Sequence, residues 1–254
     1  MTLGAAGRCG AALAVALAWL GSAAAQTGAP LAALSSNGVR AALEVLVPQC
    51  ERSTGRKVAI EYGTSASIRE RIAGGEGVDV AFVTTEVVTA LAPDHVDASF
   101  VAPLGRAGIG VGIRTGGRKL DVGSSSAIKQ ALLSAKSVTY AQDGASRAHI
   151  ERMFEQLGIA AQMKEKTLLE QGSVRAAAKV VAGEAEILLT LVSEILPVEG
   201  MELVGPLPAE FQSYISFAGF MGSRPQDPKA ARAFLACIAA PANAATFAAK
   251  GIER

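Results

Sequence analysis

The chain has 254 residues, half of them hydrophobic, and its 24 basic and 23 acidic residues give a formal net charge of +1. This length is enough for a packed core in one large α/β unit or in two lobes of about 100 residues each. The balanced charge argues against nucleic acid or an anionic membrane as a partner, and after the N-terminus no apolar stretch reaches the roughly 20 residues of a spanning helix, so we expect a soluble protein.

The first 25 residues have the pattern of a secretory signal peptide. Arg8 provides a positive charge, the run from Ala11 to Leu20 is apolar, and Ala23-Ala24-Ala25 precedes Gln26. We therefore expect export and cleavage after Ala25, the alternative being a buried N-terminal helix. Removal of Arg8 would leave 23 basic and 23 acidic residues and a net charge of zero.

Strand and helix patterns alternate after this segment, and short connections between them imply a largely parallel sheet with helices on both faces. Pro48 is expected to bend or end the first helix, and a capping-box pattern at Ser67–Glu70 places the start of the second helix near Ser65. In chain order the patterns predict strand Pro30–Ser36, helix Val39–Cys50, strand Lys57–Tyr62, a helix from Ser65 to Gly74, strand Val78–Val83 and helix Thr84–Leu91.

A second series of elements follows an extended, glycine-rich stretch. The predicted elements are helix Ser124–Leu133, strand Ser137–Ala141, helix Ser146–Leu157, strand Thr167–Glu170, helix Ser173–Ala182, strand Glu186–Leu191, strand Ser213–Met221, and helices Pro228–Ala239 and Ala242–Lys250.

Two long extended stretches, Val101–Arg114 and Val204–Met221, bracket this second series. We expect the chain to cross between two lobes near Gly105 and to return near Pro206–Pro208. Residues 26–104 and 210–254 would form lobe 1, and residues 105–209 would form lobe 2. Two crossings between α/β lobes are typical of a clamp that closes about a hinge.

The cysteines and histidines do not predict a metal site. Cys50 and Cys237 remain after the expected cleavage and lie in no C-x-x-C spacing. An exported protein permits a disulfide between them, but two separate buried thiols are the interpretation that we favour. His95 and His149 have no accompanying cluster of Glu or Cys residues.

Four strand-to-helix turns carry small hydroxyl residues at the sheet edge where ligands of α/β proteins bind. Each turn offers backbone N–H groups, a hydroxyl group and the positive end of a helix dipole. Across a cleft they would surround an anion with neutral donors, unless they serve only as helix caps. The turns are Ser35-Ser36-Asn37-Gly38 and Thr64-Ser65-Ala66-Ser67 in lobe 1, and Gly144-Ala145-Ser146 and Gly172-Ser173-Val174 in lobe 2.

Arginines lie within about one turn of each of those helix starts, namely Arg40, Arg69, Arg147 and Arg175. A cation at a helix N-terminus is disfavoured by about 0.3–1 kcal/mol, so the placement favours attraction of a negative ligand. Surface pairing is the alternative for Arg40 and Arg147, which have Glu44 and Glu151 four residues further on.

No catalytic motif is evident. Gly144-Ala145-Ser146-Arg147 lacks the second glycine of a nucleophile elbow, and no acid is specified to orient His149 beside Ser146. A phosphate loop and a dinucleotide fingerprint are also missing. We therefore expect no enzyme and no cofactor, and a periplasmic hydrolase using Ser146 is the alternative.

Several segments resemble the periplasmic molybdate-binding proteins of ABC importers. They are Leu34-Ser35-Ser36-Asn37-Gly38, STGRKVAIEYGTSASIRERIAGGEGVDVAFV from Ser53, GEAEILLTLVSEILPVEGMELVGPLPAEFQ from Gly183, and the C-terminal DPKAARAFLACIAAPANAATFAAKGIE. The resemblance implies the α/β fold of a type II periplasmic binding protein, with two lobes joined by a two-crossing hinge. It also implies a periplasmic monomer whose partner is an ABC permease of the inner membrane.

The resemblance also implies a binding site of neutral donors for a tetrahedral oxyanion such as molybdate or tungstate. Carried over by motif, the serine donors fall on Ser36, with Ser35 as the alternative, and on Ser65. The backbone N–H donors of lobe 2 fall on Ser146 and Val174.

Two features of the sequence depart from the family pattern. A tyrosine of the family falls on Thr190 or Leu191 here, and Arg147 with His149 stands where relatives have small or apolar residues. A buried arginine pairs bidentately with a carboxylate. A small di- or tricarboxylate bound through Arg147 is therefore the alternative to an oxyanion.

Overall fold

The computed structural model describes residues 28–92 and 94–254. The expected signal peptide lies outside the described residues, so cleavage after Ala25 stays a prediction. The strands are β1 Leu31–Ser36, β2 Val58–Gly63, β3 Val80–Thr84, β4 Val96–Arg114, β5 Val138–Ala141, β6 Thr167–Glu170, β7 Ile187–Leu191, β8 Met201–Pro206 and β9 Tyr214–Gly222. The helices are α1 Asn37–Thr54, α2 Ser65–Ala73, α3 Thr85–Leu91, α4 Ser125–Ser134, α5 Arg147–Gln156, α6 Ala160–Lys166, α7 Ser173–Val181, α8 Val192–Ile195, α9 Pro228–Ala239 and α10 Ala244–Ala249, with a 3-10 turn at Pro241–Asn243.

The strands form one mixed sheet in the order β2-β1-β3-β9-β4-β7-β5-β6, with β8 also paired to β4. Strands β1, β2 and β3 are mutually parallel, as are β5, β6 and β7. Between these two sets, β4 and β9 run antiparallel to their neighbours. The expected α/β class is confirmed.

The long strand β4 belongs to both halves of the sheet. Its residues from Val96 to Gly108 pair with β9, and those from Ile109 to Gly112 pair with β7. Buried side chains on β4, such as Leu104 and Ile109, join the apolar core of the two halves. We refer to strands β1–β3 and β9 with their helices as lobe 1, and to β5–β8 with theirs as lobe 2. The predicted boundaries of the lobes at residues 104/105 and 209/210 stay a prediction.

Helix α1 does not end at Pro48, where the sequence suggested a bend or an end. It continues to Thr54 and terminates at Gly55, whose φ of 70° is left-handed. Residues on both sides of the proline, including Val47 and Cys50, are buried against the core. This packing holds the helix across a position where the proline nitrogen donates no hydrogen bond.

Cys50 of α1 and Cys237 of α9 form a disulfide. The interpretation that favoured two separate thiols is therefore wrong. Both helices cover the same face of lobe 1, which brings the two Cα atoms to 5.8 Å, within the range of a disulfide. The separation of 187 positions along the chain conceals this proximity in the sequence.

Three elements were not predicted separately, namely α6, α8 and β8. Helix α8 has four residues, too few to show a helical repeat of apolar positions. In the described residues no single helix is long and apolar enough to span a membrane. The bent pair Pro228–Ala239 and Pro241–Ala249 meets that criterion only when its two helices, 45° apart, are taken together.

The disulfide predicts a large loss of stability when both cysteines are replaced by alanine. Closing a loop of this length stabilises the folded state by up to about 5 kcal/mol, because the unfolded chain loses entropy. Urea unfolding should show that loss, and a reductant should destabilise the wild type but not the variant. Free thiols titrated in denatured, unreduced protein lacking residues 1–25 would contradict the pairing.

Candidate functional site

The turns at the ends of five strands meet in one cavity between the lobes, which we call the inter-lobe cavity. Helices α1 and α2 begin at it from lobe 1, and α5, α7 and α8 begin at it from lobe 2. Its volume is about 20 Å³, the room of about one water molecule. It is lined by Ser36, Thr64, Ser65, Gly144, Ala145, Ser146, Ser173, Leu191, Glu194 and Phe217.

The lobe 1 serines combine a structural bond with a position at the cavity. The Ser36 hydroxyl caps α1 by accepting a hydrogen bond from the Gly38 N–H at 3.3 Å. The Ser65 hydroxyl accepts a hydrogen bond from the Thr84 N–H at 3.1 Å. Each hydroxyl still has a proton to donate, so capping and anion binding are compatible at both residues.

Phe217 of β9 forms an apolar wall of the cavity, and it is fully buried. Gly38 makes room for it, because a Cβ atom at that position would lie 2.3 Å from the ring. The glycine in the first turn of α1 is therefore required by packing at the cavity.

Asp143 connects the two lobes beside the cavity. One of its carboxylate oxygens accepts a hydrogen bond from the Thr64 hydroxyl of lobe 1 at 3.1 Å. The other accepts one from the Gly172 N–H at the start of α7 at 2.8 Å. The structure therefore represents the lobes in contact, with a side-chain bond across the cleft.

Glu194 of α8 is a carboxyl group in the cavity wall that sequence reasoning missed. The Ser173 hydroxyl donates a hydrogen bond to its Oε1 atom at 2.8 Å, and the Thr190 hydroxyl donates one to Oε2. Burial raises the pKa of Glu194, the nearby Asp143 raises it further, and the two hydroxyl groups oppose the shift. The one available signal was its place three residues after β7, at a strand-to-helix turn.

A larger pocket of about 420 Å³ adjoins the inter-lobe cavity, and we call it the outer pocket. It lies between α1 of lobe 1 and helices α7 and α8 of lobe 2, and Ser173 and Glu194 line both spaces. The buried Ser193 hydroxyl also lines it and makes no hydrogen bond within the described part of the chain. Glu194 therefore separates the enclosed cavity from a roomier approach.

The structure brings together Ser36, Ser65 and Ser146 from the predicted site, and it places the other candidates around them. Ser35 is buried and donates its hydroxyl proton to the Ser36 carbonyl oxygen. Val174 is 55% exposed and lines the outer pocket. Thr190 lies behind Glu194, and Leu191, the other tyrosine-equivalent position, lines the cavity itself.

The Arg147 side chain lies away from the cavity lining. Its Nε atom donates to the Glu151 carboxylate at 2.8 Å, and its guanidinium also donates to the Gln142 carbonyl oxygen at 2.9 Å. This is the i,i+4 surface pair that was the alternative for Arg147. Within the described residues no basic side chain lines the cavity.

Other chemistry in the described residues is sparse. They contain no group of three or more His, Cys, Asp or Glu side chains that could hold a metal ion. Ser146 stands at the start of α5 without a capping bond from its side chain. The His149 Nδ1 atom is buried and has no hydrogen-bond partner in that part of the chain, so no acid is bonded to this nitrogen.

Comparisons with known proteins support one family and one fold. The family model described as bacterial extracellular solute-binding protein matches residues 31–253. Aconitate isomerase of a Pseudomonas species is 31% identical over 241 residues, which are 91% of this chain and 88% of that protein.

Solved structures of other proteins share the fold of this chain. The periplasmic molybdate-binding protein of Azotobacter vinelandii has a TM-score of 0.70 at 17% identity, covering 88% of this chain and 99% of that one. PEB3 of Campylobacter jejuni, bound to L-phospholactate, has a TM-score of 0.64 at 13% identity, covering the same shares. The fold expected from the resemblance to molybdate-binding proteins is confirmed.

The expectation that the chain is not an enzyme is wrong. The finding that overturns it is the match to an isomerase along 91% of the chain. The expectation rested on missing motifs for nucleophiles, phosphates and dinucleotides. An isomerase that moves a proton needs none of these, because one suitably placed acid–base group is enough.

Replacing Gly38 by alanine should destabilise the protein by displacing Phe217. The overlap at 2.3 Å outweighs the usual gain from alanine in a helix, and the expected net loss is about 1–3 kcal/mol. Urea unfolding measures it, and Gly77→Ala, whose Cβ meets nothing within 4 Å, is the matched control. Adding Phe217→Leu should recover part of the loss, and strict additivity of the two changes would contradict the contact.

Glu194 should make the folded state less stable as the pH rises. Its pKa is raised above the ordinary 4.5, so the folded protein holds a proton that the unfolded chain releases. Stability from this proton is complete below pH 4.5 and declines above it, by at most about 1.4 kcal/mol per pH unit, until the folded-state pKa is passed. Urea unfolding from pH 4 to 8 should show that decline in the wild type relative to Glu194→Gln, and parallel curves would refute it.

Proposed function

Because the chain belongs to the family of bacterial extracellular solute-binding proteins, we propose that its two lobes close on a small ligand. We propose further that this ligand is an unsaturated polycarboxylate and that the protein catalyses the interconversion of its isomers. The 31% identical relative is named for aconitate, a tricarboxylate with one carbon–carbon double bond. We carry that substrate class over to this chain, with aconitate itself as the first compound to test.

The observation that carries the proposal is the set of neutral donors around a carboxyl group in the inter-lobe cavity. Ser36, Ser65 and Ser146 supply hydroxyl groups, and the N-termini of α1, α2, α5 and α7 supply backbone N–H groups. Such donors bind a carboxylate at a helix N-terminus without a basic side chain. In this proposal the carboxylates bind at the turns, and Arg147 stays paired with Glu151.

Substrate entry requires the lobes to separate. The cavity of about 20 Å³ is smaller than a molecule with three carboxylates, whereas the outer pocket of about 420 Å³ leads to it. Opening would break the bond between Thr64 and Asp143 and leave the pairing within each half of the sheet intact. Closing around the substrate would then bring the donors of both lobes onto it, as in hinge closure of binding proteins.

The reaction in this proposal is a proton shift along three carbon atoms. A base removes a proton from the carbon next to the double bond, and the electron pair of that C–H bond becomes the new double bond. The far carbon of the old double bond takes up a proton, so that atoms and charge balance. Negative charge spreads onto the carboxylates during the step, where the helix N-termini stabilise it.

A second candidate function is delivery of a compact oxyanion to an ABC permease of the inner membrane. The neutral donors of the cavity suit a molybdate- or tungstate-like ion once the lobes have separated to admit it, and the family is one of solute-binding proteins. In this role the chain would act in the periplasm as a monomer. The two candidates differ in the ligand that stabilises the protein and in whether that ligand is converted.

A thermal-shift screen with aconitate isomers, other small carboxylates, molybdate, tungstate, sulfate and phosphate tests the proposal. A ligand at 100 times its dissociation constant should stabilise the protein by about 2.7 kcal/mol. We expect this response from aconitate, together with conversion of one isomer into the other followed by proton NMR. Stabilisation by molybdate or tungstate with no response to any carboxylate would favour the second candidate.

Ser146→Ala and Arg147→Ala form a matched pair of variants for the same screen. The Ser146 hydroxyl caps no helix, so its loss should affect ligand binding more than folding. A hydrogen bond to a charged group contributes about 1.5–3 kcal/mol, which corresponds to at least a tenfold loss of affinity. Arg147→Ala should change affinity little. A larger loss of affinity in Arg147→Ala than in Ser146→Ala would indicate that Arg147 contacts the ligand.

A further inference from the structure

We propose that Glu194 is the catalytic residue that carries the proton between the two carbons of the substrate. The inference rests on the proposed function and adds the group that performs it. Among the described residues that line the inter-lobe cavity, Glu194 is the one with an ionisable side chain. It also faces the outer pocket, from which the substrate would arrive.

The partners of Glu194 allow it to exist in both protonation states. Ser173 donates to one carboxylate oxygen at 2.8 Å, and Thr190 donates to the other. A hydroxyl group is both a donor and an acceptor, so it can rotate to accept a bond when the carboxyl group takes up a proton. The two bonds therefore hold the orientation of the group without fixing its charge.

Other well-held glutamates in the chain have a different environment. Glu51 is bound by Lys57 and Glu76 by Arg71, and both have a lowered pKa to which those cations contribute. A partner with a fixed positive charge keeps a carboxylate ionised and so makes it a weak base. Glu194 has hydroxyl partners in place of a cation, and burial raises its pKa toward the range where it can accept and return a proton.

Anion binding alone does not account for a carboxyl group at this place. An ionised Glu194 would repel a negative ligand, and a neutral donor such as an amide would serve binding better. A carboxyl group is useful here when it takes part in proton transfer. That requirement distinguishes an isomerase site from a site that only holds an anion.

In the proposed step the Glu194 carboxylate removes the proton from the carbon next to the double bond and becomes a carboxylic acid. The C–H electron pair forms the new double bond, and the electron pair of the old one forms a bond to the proton that Glu194 returns at the far carbon. The residue ends the cycle ionised, and no oxidant, reductant or second substrate takes part.

Glu194→Gln is the decisive variant, because glutamine keeps the size and hydrogen bonding of the side chain but cannot carry the proton. We expect aconitate to stabilise the variant within a few-fold of the wild-type affinity, while isomerisation falls by about 100- to 10,000-fold. Transfer of deuterium from substrate labelled at its CH₂ group to the far carbon of the product should fall in parallel. Glu165→Gln, at an exposed position of α6 that lines neither the inter-lobe cavity nor the outer pocket, is the control and should keep the wild-type rate.

Glu194→Asp provides a second test in case Glu194→Gln does not fold. Aspartate retains an acid but withdraws it by one methylene group, so we expect a slower reaction whose pH profile is shifted and not lost. Wild-type rates in Glu194→Gln, or an unchanged pH profile in Glu194→Asp, would overturn the role of Glu194 and leave the proposed function standing. If aconitate neither stabilises the wild-type protein nor is isomerised by it, the proposed function is wrong, and so is the role proposed for Glu194.

Discussion

The antiparallel pairing of β4 determines where the site lies. Strands β3 and β4 run in the same direction because both are antiparallel to β9, and β4 runs from lobe 1 into lobe 2. The carboxyl ends of β1–β3 therefore point toward lobe 2. Strand β7 is antiparallel to β4, so the carboxyl ends of β5–β7 point back toward lobe 1. Since parallel strands in α/β proteins lead into helices at their carboxyl ends, one cleft collects the helix N-termini of both lobes. The strand directions alone therefore bring the positive ends of these helix dipoles to one place.

Charge in this cleft is balanced between donors and acids. Backbone N–H groups and hydroxyl groups attract an anion through partial charges, whereas Asp143 and Glu194 place two carboxyl groups nearby. Asp143 is held by the Gly172 N–H and the Thr64 hydroxyl, and its charge helps to raise the pKa of Glu194. Thr64 of lobe 1 is therefore bonded to the residue whose charge acts on Glu194.

The sequence predicted those parts of the site that have a local signal. Ser36, Ser65 and Ser146 were identifiable because small hydroxyl residues at strand-to-helix turns follow from capping chemistry, and the structure places all three at the cavity. Arg147 was ambiguous, because a ligand contact and an i,i+4 pair leave the same pattern of residues. Glu194 was missed because α8 has four residues and no periodicity, and because its hydroxyl partner Ser173 lies 21 positions away. The Cys50–Cys237 pairing was misjudged for a similar reason, since only the fold brings α1 and α9 together.

Isomerisation requires few groups beyond those that bind an anion between two lobes. Substrate and product have the same atoms, the same charge and the same carboxylates, so the donors that hold one also hold the other. No leaving group has to depart and no water molecule has to be positioned, which removes the need for a nucleophile or an oriented histidine beside Ser146. What remains to be supplied is one acid–base group whose charge is not fixed by a cation. Glu194, held by Ser173 and Thr190, meets that requirement inside a cleft whose other donors suit binding alone. Sequence motifs for covalent catalysis therefore do not identify such a site.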